Sequence, residues 1–471
     1  MSLNGKNVLV LGLGESGLSM ARWAARDGAA AIRVADTRSD PPGRNALAQH
    51  APNAKLRTGA FERDTFAGID LVAISPGVPL AEPAVQDALA RGVPVVGDVE
   101  LFARAIPDTY RNAQQPSLIG VTGTNGKTTV TALTGAIVNS GGRRCEVAGN
   151  ISPAVLTALM DCLDRDALPD VWALELSSYQ LETTHSLDLD AATMLNVSED
   201  HLDRYADVKE YAAAKSRIFA GSGLQVLNRD DDASLAMRRA GRRVATFGLD
   251  QSRCEADFGL IKLGNDFHLA QGETAILPFG EMRLAGLHNA ANALAALALT
   301  SELGLGRETV FEALRAFRSL PHRVEPIAEV DRIRYFNDSK GTNVGATVAA
   351  LNGFARMLAG SASRVVLIAG GDGKGQNFAP LRNAVAGPAR AVILIGRDGP
   401  LIDRALDGTN VPRLWASSMA DAIDRARDVA IAGDIVLLSP ACASFDMFNH
   451  YKHRGDVFTS LVKGLPNARG I

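Results

Sequence analysis

The run Thr122-Gly-Thr-Asn-Gly-Lys-Thr-Thr129, between an apolar strand pattern and a helical one, carries the strongest chemical signal in the sequence. Backbone N–H groups of such a loop converge on phosphate oxygens, its lysine adds positive charge, and the next hydroxyl suits Mg2+. Those tasks fall to Gly123, Thr124, Asn125, Gly126, Lys127, Thr128 and Thr129. The run departs from the usual GxxxxGK[ST] loop, because Val121 stands where the first glycine belongs. A phosphate loop with a metal also needs an acid. Glu175 sits inside the apolar run Val171-Trp-Ala-Leu-Glu-Leu-Ser-Ser178. An unpaired carboxylate there is costly to bury, so a cation must face it, either a metal or an arginine.

A second glycine turn, Gly12-Leu-Gly-Glu-Ser-Gly17, follows the first strand pattern and opens a helix, and Asp36 ends the next strand. Glycines let a backbone approach a pyrophosphate, and the acid can hold a ribose. Three readings stay open: a nicotinamide or flavin cofactor, another nucleotide-like ligand, or a plain tight turn. Arg38 is either a phosphate partner or a solvated charge. Ser75-Pro-Gly77 is another loop after a strand, which turn chemistry alone explains.

Several residues are ambiguous taken singly. His201 stands among carboxylates in Asn196-Val-Ser-Glu-Asp-His-Leu-Asp203, either a metal ligand or a packed histidine. Lys215, in the alanine-rich Tyr211-Ala-Ala-Ala-Lys-Ser-Arg-Ile218, reads as a surface charge. Asn289 and Asn292 lie three apart at a helix start and share a face. N-capping accounts for Asn289 well and for Asn292 poorly. Near the C-terminus, Pro321-His-Arg323, Asn337-Asp-Ser-Lys-Gly-Thr342, Gly370-Gly-Asp-Gly-Lys374 and Ser439-Pro-Ala-Cys-Ala-Ser-Phe-Asp446 are polar loops beside strands. Each alone is a turn; four together point to a binding edge.

The elements that must position these residues are strands alternating with alanine-rich helices, which predicts an α/β fold of parallel sheets. Strands are expected at Asn7–Leu11, Ala31–Ala35, Ile69–Ser75 and Val93–Val96, then at Val171–Leu176 and Ala192–Val197. Three more are expected at Arg364–Ala369, Ala391–Ile395 and Asp434–Leu438. Helices are expected near Leu18–Arg26, Val208–Phe219 and Asn289–Glu302. The polar stretch from Asp108 to Ser117 reads as a linker, and Leu320-Pro-His-Arg323 as the next boundary. The chain has 471 residues, enough for about three domains. We place them at 1–112, 113–320 and 321–471. A net charge of −3 gives no general attraction to nucleic acid or an anionic membrane. Four scattered cysteines (Cys145, Cys162, Cys254, Cys442) form no CxxC pair and suit a reducing cytoplasm. No segment is apolar and long enough to span a bilayer, and the N-terminus lacks the marks of a secretory signal. A cytoplasmic location is expected.

In family order, the chain carries the phosphate loop, Leu174-Glu-Leu-Ser-Ser-Tyr-Gln-Leu-Glu182, Asn196-Val-Ser-Glu-Asp-His-Leu-Asp-Arg-Tyr205, His288-Asn-Ala-Ala-Asn292, Leu320-Pro-His-Arg323 and Asn337-Asp-Ser-Lys340. With these it resembles the Mur ligase family over essentially its whole length, and the N-terminal GxGxxG turn resembles that of the D-glutamate-adding branch. The resemblance implies an N-terminal Rossmann-like domain for a UDP substrate, a central P-loop ATPase domain, and a C-terminal Rossmann-like domain closing over the site. It implies that ATP phosphorylates the carboxylate of UDP-N-acetylmuramoyl-L-alanine and that the amine of D-glutamate then displaces phosphate. It implies a monomer.

Residue by residue, the resemblance implies that Lys127 neutralises the β- and γ-phosphates and that Thr128 with Glu175 holds one Mg2+. A second Mg2+ is implied at His201 and a carbamylated Lys215. Asn289 and Asn292 fall on the adenine side, Arg323 on the phosphates and Asp338 on the ribose. Gly14, Glu15, Ser16, Gly17, Asp36, Thr37, Arg38 and Ser75 fall at the uridine end, and Asn150 near the substrate. Lys340, Thr342, Lys374, Ser444 and Phe445 fall in the glutamate pocket, where Tyr451 replaces an expected phenylalanine. The rivals are a dinucleotide-dependent oxidoreductase, which leaves the phosphate loop idle, and a switch GTPase, for which no guanine-reading Asn/Thr-Lys-x-Asp stretch is present. A sister ligase with another amino acid, of the L-glutamate or folylpolyglutamate type, is the nearest alternative.

Overall fold

A computed structural model describes residues 2–470 other than Asp203, Arg253, Asn265 and Ala285. Asp203 of the histidine motif therefore lies outside the described residues. Three sheets follow one another along the chain. The first is wholly parallel, in the spatial order Lys55–Thr58, Ala31–Asp36, Asn7–Leu11, Leu71–Ile74, Val95–Val96. Its order reverses at Asn7–Leu11, and ligands gather at the carboxyl ends of strands at such a switch point. The glycine turn after Leu11 and the Ser75 loop both lie there. In the second sheet, Ser117–Thr122 is flanked by Ala191–Met194 and Val171–Glu175, all parallel. In the third, Ile435–Leu438 lies between Ile333–Asn337 and Val365–Gly370.

The central strands read as continuous apolar runs because helices cover both faces. Every residue of Leu71–Ile74, Val171–Glu175 and Ile435–Leu438 is buried. Expected strand positions agree with the structure to within a few residues. What the alternation did not announce is antiparallel extension. The second sheet adds Phe258–Leu263, Asp266–Gln271 and Thr274–Pro278, and the third begins with the pair Glu325–Val330 and Ile333–Asn337. These strands pair with their neighbours in sequence, so no crossover helix separates them.

The expected linker is also corrected. Helix Asp98–Thr109 takes its first two residues, and Tyr110 is buried. The Tyr110 hydroxyl donates to the Pro169 carbonyl at 2.8 Å and accepts from Trp172 Nε1 at 3.1 Å. The polar residues after Tyr110 hid an aromatic anchor. The same helix fastens the first unit to the second: Glu100 accepts from His185 N at 2.7 Å and Ser186 N at 2.9 Å. Among the described residues no helix is long and apolar enough to cross a membrane.

Candidate functional site

Strand Ser117–Thr122 delivers the phosphate loop to the start of helix Lys127–Ser140. Gly126 has φ +84°, which favours glycine, and a Cβ there would press on Asn292 Oδ1 at 2.6 Å. Lys127 Nζ donates to the carbonyls of Gly123 (2.8 Å) and Thr124 (2.9 Å). Lys215 Nζ donates to the same Gly123 carbonyl at 2.9 Å. Lys215 is 1% exposed, which overturns the surface reading. Alanines on every side of helix Val208–Ser216 gave no amphipathic contrast, yet Tyr211 and Lys215 form its buried side. Burial first, then the charge of Lys127, holds the Lys215 amine well below the usual ammonium range. The Tyr211 ring lies 4.5 Å from Lys215 Nζ and 6.0 Å from the His201 ring, so the two candidate metal residues gather around it. His201 Nδ1 is 2.7 Å from the Tyr179 hydroxyl, and burial pushes this imidazole down.

Glu175 is 2% exposed, and its Oε1 accepts from Asn150 Nδ2 at 2.8 Å. Its Oε2 is buried with no hydrogen-bond partner among the described residues. No arginine pairs with it there, which removes that alternative. A buried, unpartnered carboxylate oxygen fits a divalent cation. Thr128, whose hydroxyl accepts from Arg323 of the third unit, adds an oxygen donor. Among the described residues no three His, Cys, Asp or Glu side chains form a metal cluster. A carboxylate with a hydroxyl fits Mg2+, which keeps much of its coordination for water and phosphate oxygens.

A cavity of about 260 Å³ joins Gly126 and Thr129 of the loop to Asn289 and Asn292, and to Arg323, Asp338 and Lys340 of the third unit. Gly286, not Asn289, caps helix Leu287–Thr300, which corrects the capping reading. Asn289 lies a turn too late to cap: its own N–H donates to the Gly286 carbonyl at 2.9 Å. Its Oδ1 accepts from Asn292 Nδ2 at 3.1 Å, which keeps both amides on the cavity side. Burial first, then Arg323, pushes Lys340 down to about 8, and its Nζ sits 4.0 Å over the Tyr451 ring. Tyr451 therefore packs on a candidate glutamate-pocket residue. Ser444 is buried and Thr342 half-buried. Of the glutamate-pocket candidates only Lys340 lines this cavity; Thr342, Ser444, Tyr451, the exposed Lys374 and Phe445, 70% exposed, do not.

A second cavity, of about 670 Å³, collects Gly14, Glu15, Ser16, Asp36, Thr37, Arg38 and Ser75 from the first unit and Asn150 from the second. Gly17 lies behind its wall, where a Cβ would come 1.8 Å from the Gly12 carbonyl oxygen. Asp36 accepts from Leu13 N at 2.7 Å and from both Nε and a terminal nitrogen of Arg38, at 2.8 and 2.7 Å. The Arg38 bond is the main cause holding this carboxyl down at about 2. Asp36 thus orders the arginine and the glycine turn together. Glu15 reaches across to the second unit, accepting from Ser152 Oγ at 2.7 Å and Ala154 N at 3.0 Å. Sequence reasoning missed Gln180 and Phe61 as wall residues. It also missed Asn343, buried against the phosphate loop; its one signal was an N-cap residue type before a helix.

Burial pushes Asp338 up to about 7, and Ser439 Oγ donates to it at 2.7 Å. An acid raised in the folded state stabilises the fold only while it keeps its proton. Its contribution declines from about pH 4 to about pH 7 and is flat beyond, with a ceiling of about 4 kcal/mol. Asp338→Asn, neutral at every pH, should therefore gain thermal stability relative to the parent as pH rises from 4 to 7. Parallel melting curves for both proteins would show a constant offset if Asp338 is ionised throughout.

Comparison with known proteins agrees with this geometry. Residues 6–97 match the family model for the MurD-like N-terminal domain of Mur ligases, 121–300 the Mur ligase middle domain, and 322–442 the glutamate ligase domain. A UDP-N-acetylmuramoylalanine–D-glutamate ligase of Nitrosospira multiformis is 53% identical, covering 100% of this chain and 98% of its own. The protein of that name from Dechloromonas aromatica is 50% identical over 99% of this chain and 100% of its own. In fold, the UDP-N-acetylmuramate-alanine ligase MurC of Thermotoga maritima superposes with a TM-score of 0.59 at 19% identity, covering 97% of this chain and 98% of that one. Full-length identity at this level, with all three domain models in order on three consecutive sheets, leads to one conclusion: the chain belongs to the Mur ligase family.

Proposed function

We propose that this chain is an ATP-dependent ligase that joins D-glutamate to UDP-N-acetylmuramoyl-L-alanine in peptidoglycan synthesis, acting as a cytoplasmic monomer. In this reading residues 1–112 hold the UDP substrate, 113–320 ATP, and 321–471 close on ATP and the amino acid. Asn150 carries the reading: it walls the cavity of the first unit and donates to Glu175 beside the phosphate loop. A carboxylate at the far end of a UDP-linked substrate is thereby brought to a terminal phosphate. One carboxylate oxygen attacks the γ-phosphorus and ADP leaves, giving an acyl phosphate. The amine of glutamate attacks the acyl carbon, phosphate leaves, and the amine loses a proton. Lys127, Arg323 and Lys340 supply positive charge along this path, which is what phosphoryl transfer asks of a protein. Thr128 and Glu175 are the residues to hold one Mg2+, and His201 and Lys215 a second. Bound there, the ions would neutralise phosphate oxygens. Offered ATP and UDP-N-acetylmuramoyl-L-alanine, the protein should release phosphate with D-glutamate and at least tenfold more slowly with L-glutamate. Equal rates, or a preference for another amino acid, would assign it to a sister ligase.

For Lys215 we propose carbamylation. A neutral amine attacks CO2 and loses a proton, so a cation becomes an anionic oxygen ligand. Burial and the neighbouring Lys127 both favour the neutral amine that this needs, and a hard cation prefers the oxygen so created. Lys215→Ala should be nearly inactive and regain part of its turnover in acetate, whose carboxylate fills the vacated space. Lys215→Arg should gain nothing from acetate. Full activity of Lys215→Ala in acetate-free buffer would remove the carbamate.

A further inference from the structure

Helix Val344–Met357 of the third unit begins directly on the phosphate loop, and its cap residue does more than cap. Asn343 is 4% exposed, and its Oδ1 accepts from Ala346 N at 2.8 Å, the ordinary N-cap bond. Its Nδ2 makes two bonds outside its own unit, to Asn125 Oδ1 at 3.2 Å and to Asp200 Oδ2 at 3.1 Å. Asn125 Nδ2 donates back to Asn343 Oδ1 at 3.3 Å. The amide can be oriented only this way. A carboxylate accepts and does not donate, and a helix N–H donates, so the nitrogen must face Asp200 and the oxygen Ala346. Both amide hydrogens of Asn343 therefore leave for the second unit, one to the phosphate loop and one to the residue before His201.

The contact is close on every side. A Cβ on Gly345 would lie 2.7 Å from Ser198 Oγ and 3.3 Å from Asn125 Nδ2. The loop that receives Asn343 is braced in turn: Asn125 N donates to Asn196 Oδ1 at 2.8 Å, and Asn196 Nδ2 donates to the Asn125 carbonyl at 3.1 Å. Thr342 immediately precedes Asn343 and Lys340 lies three residues before it, and the Thr342 N–H donates to the Lys340 carbonyl at 2.8 Å. That short turn ties both residues closely to Asn343 along the chain.

We propose that Asn343 is a positioning residue that locks the amino-acid-binding loop onto the phosphate loop, so that the acceptor amino acid is held only when the third unit is seated on the nucleotide site. The proposal rests on the reading of Lys340 and Thr342 as amino-acid contacts. It explains why one amide serves both as a helix cap and as a bond between units: the helix start is the rigid lever that carries the pocket.

Two variants separate the lock from the cap. Asn343→Ser keeps a hydroxyl that caps the helix but is too short to reach Asn125 and Asp200. Asn343→Asp keeps the cap and sets one carboxylate against another. Asn343→Ser should melt within a few degrees of the parent, and Asn343→Asp lower; both should raise KM for D-glutamate on the order of tenfold, the scale of a lost bond to a charged group. KM for ATP and kcat at saturating D-glutamate should stay within about threefold. Asp200→Asn added to Asn343→Asp should lower the raised KM again, because a carboxylate then faces an amide once more. A merely structural cap would move all three constants together and show no such recovery, and either result overturns the lock. Parent turnover with D-glutamate tests the functional reading separately. Amide exchange of residues 339–346 tests the lock without turnover: it should be faster in Asn343→Ser than in the parent with ATP bound, and equal exchange overturns the lock.

Discussion

One carbonyl oxygen, that of Gly123, accepts from two lysines, the buried Lys215 and the half-buried Lys127, and the character of the site follows from that crowding. Ammonium groups on both, so close and shielded from water, would repel each other and lose solvation together, which favours the neutral amine on Lys215. Part of the compensation is Glu175, whose charge favours the protonated form of both lysines and whose second oxygen has no hydrogen bond of its own. A site of this kind is poised for a highly charged ligand. Arg323 and Lys340 extend the same positive field from the third unit. Polyphosphate chemistry needs such a field, with little covalent help from the protein.

The three sheets are arranged to serve this centre. The first offers its switch-point loops, the second its phosphate loop, and the third its polar strand ends, so each presents the carboxyl ends of its parallel strands. The ties between them are polar and specific. Glu15 bonds the loop next to Asn150, Glu100 bonds the backbone of His185, just after the run Leu174–Glu182, and Arg323 reaches Thr128. Asn150 connects the substrate cavity to the acid of the phosphate loop in one side chain. A ligand in one cavity is thus within the reach of residues that order the next.

Much of this was legible in the residues alone. A phosphate loop between strand and helix is a local pattern, and the burial of Glu175 followed from the apolar run around it. The GxGxxG turn and Asp36 were visible as a pair, though only the cavity showed that Asp36 holds Arg38. What stayed hidden depended on partners distant in sequence. Lys215 looked exposed because alanine neighbours carry no burial signal, and its burial is set by the phosphate loop some ninety residues earlier. Asn289 looked like a cap because asparagine commonly is one; Gly286, three residues before, took that place. The antiparallel strands escaped because their short apolar runs resemble the buried parallel ones, and only the turns between them differ.

The central claim is that these units meet in order to pass a phosphoryl group to a carboxylate. It is tested most directly by labelling the alanyl carboxylate of UDP-N-acetylmuramoyl-L-alanine with 18O and analysing the phosphate released during ligation. An acyl phosphate leaves one carboxylate oxygen on phosphorus when the amine displaces it, so the account predicts one 18O atom in each phosphate formed. Unlabelled phosphate, with amide made at the normal rate, would contradict it.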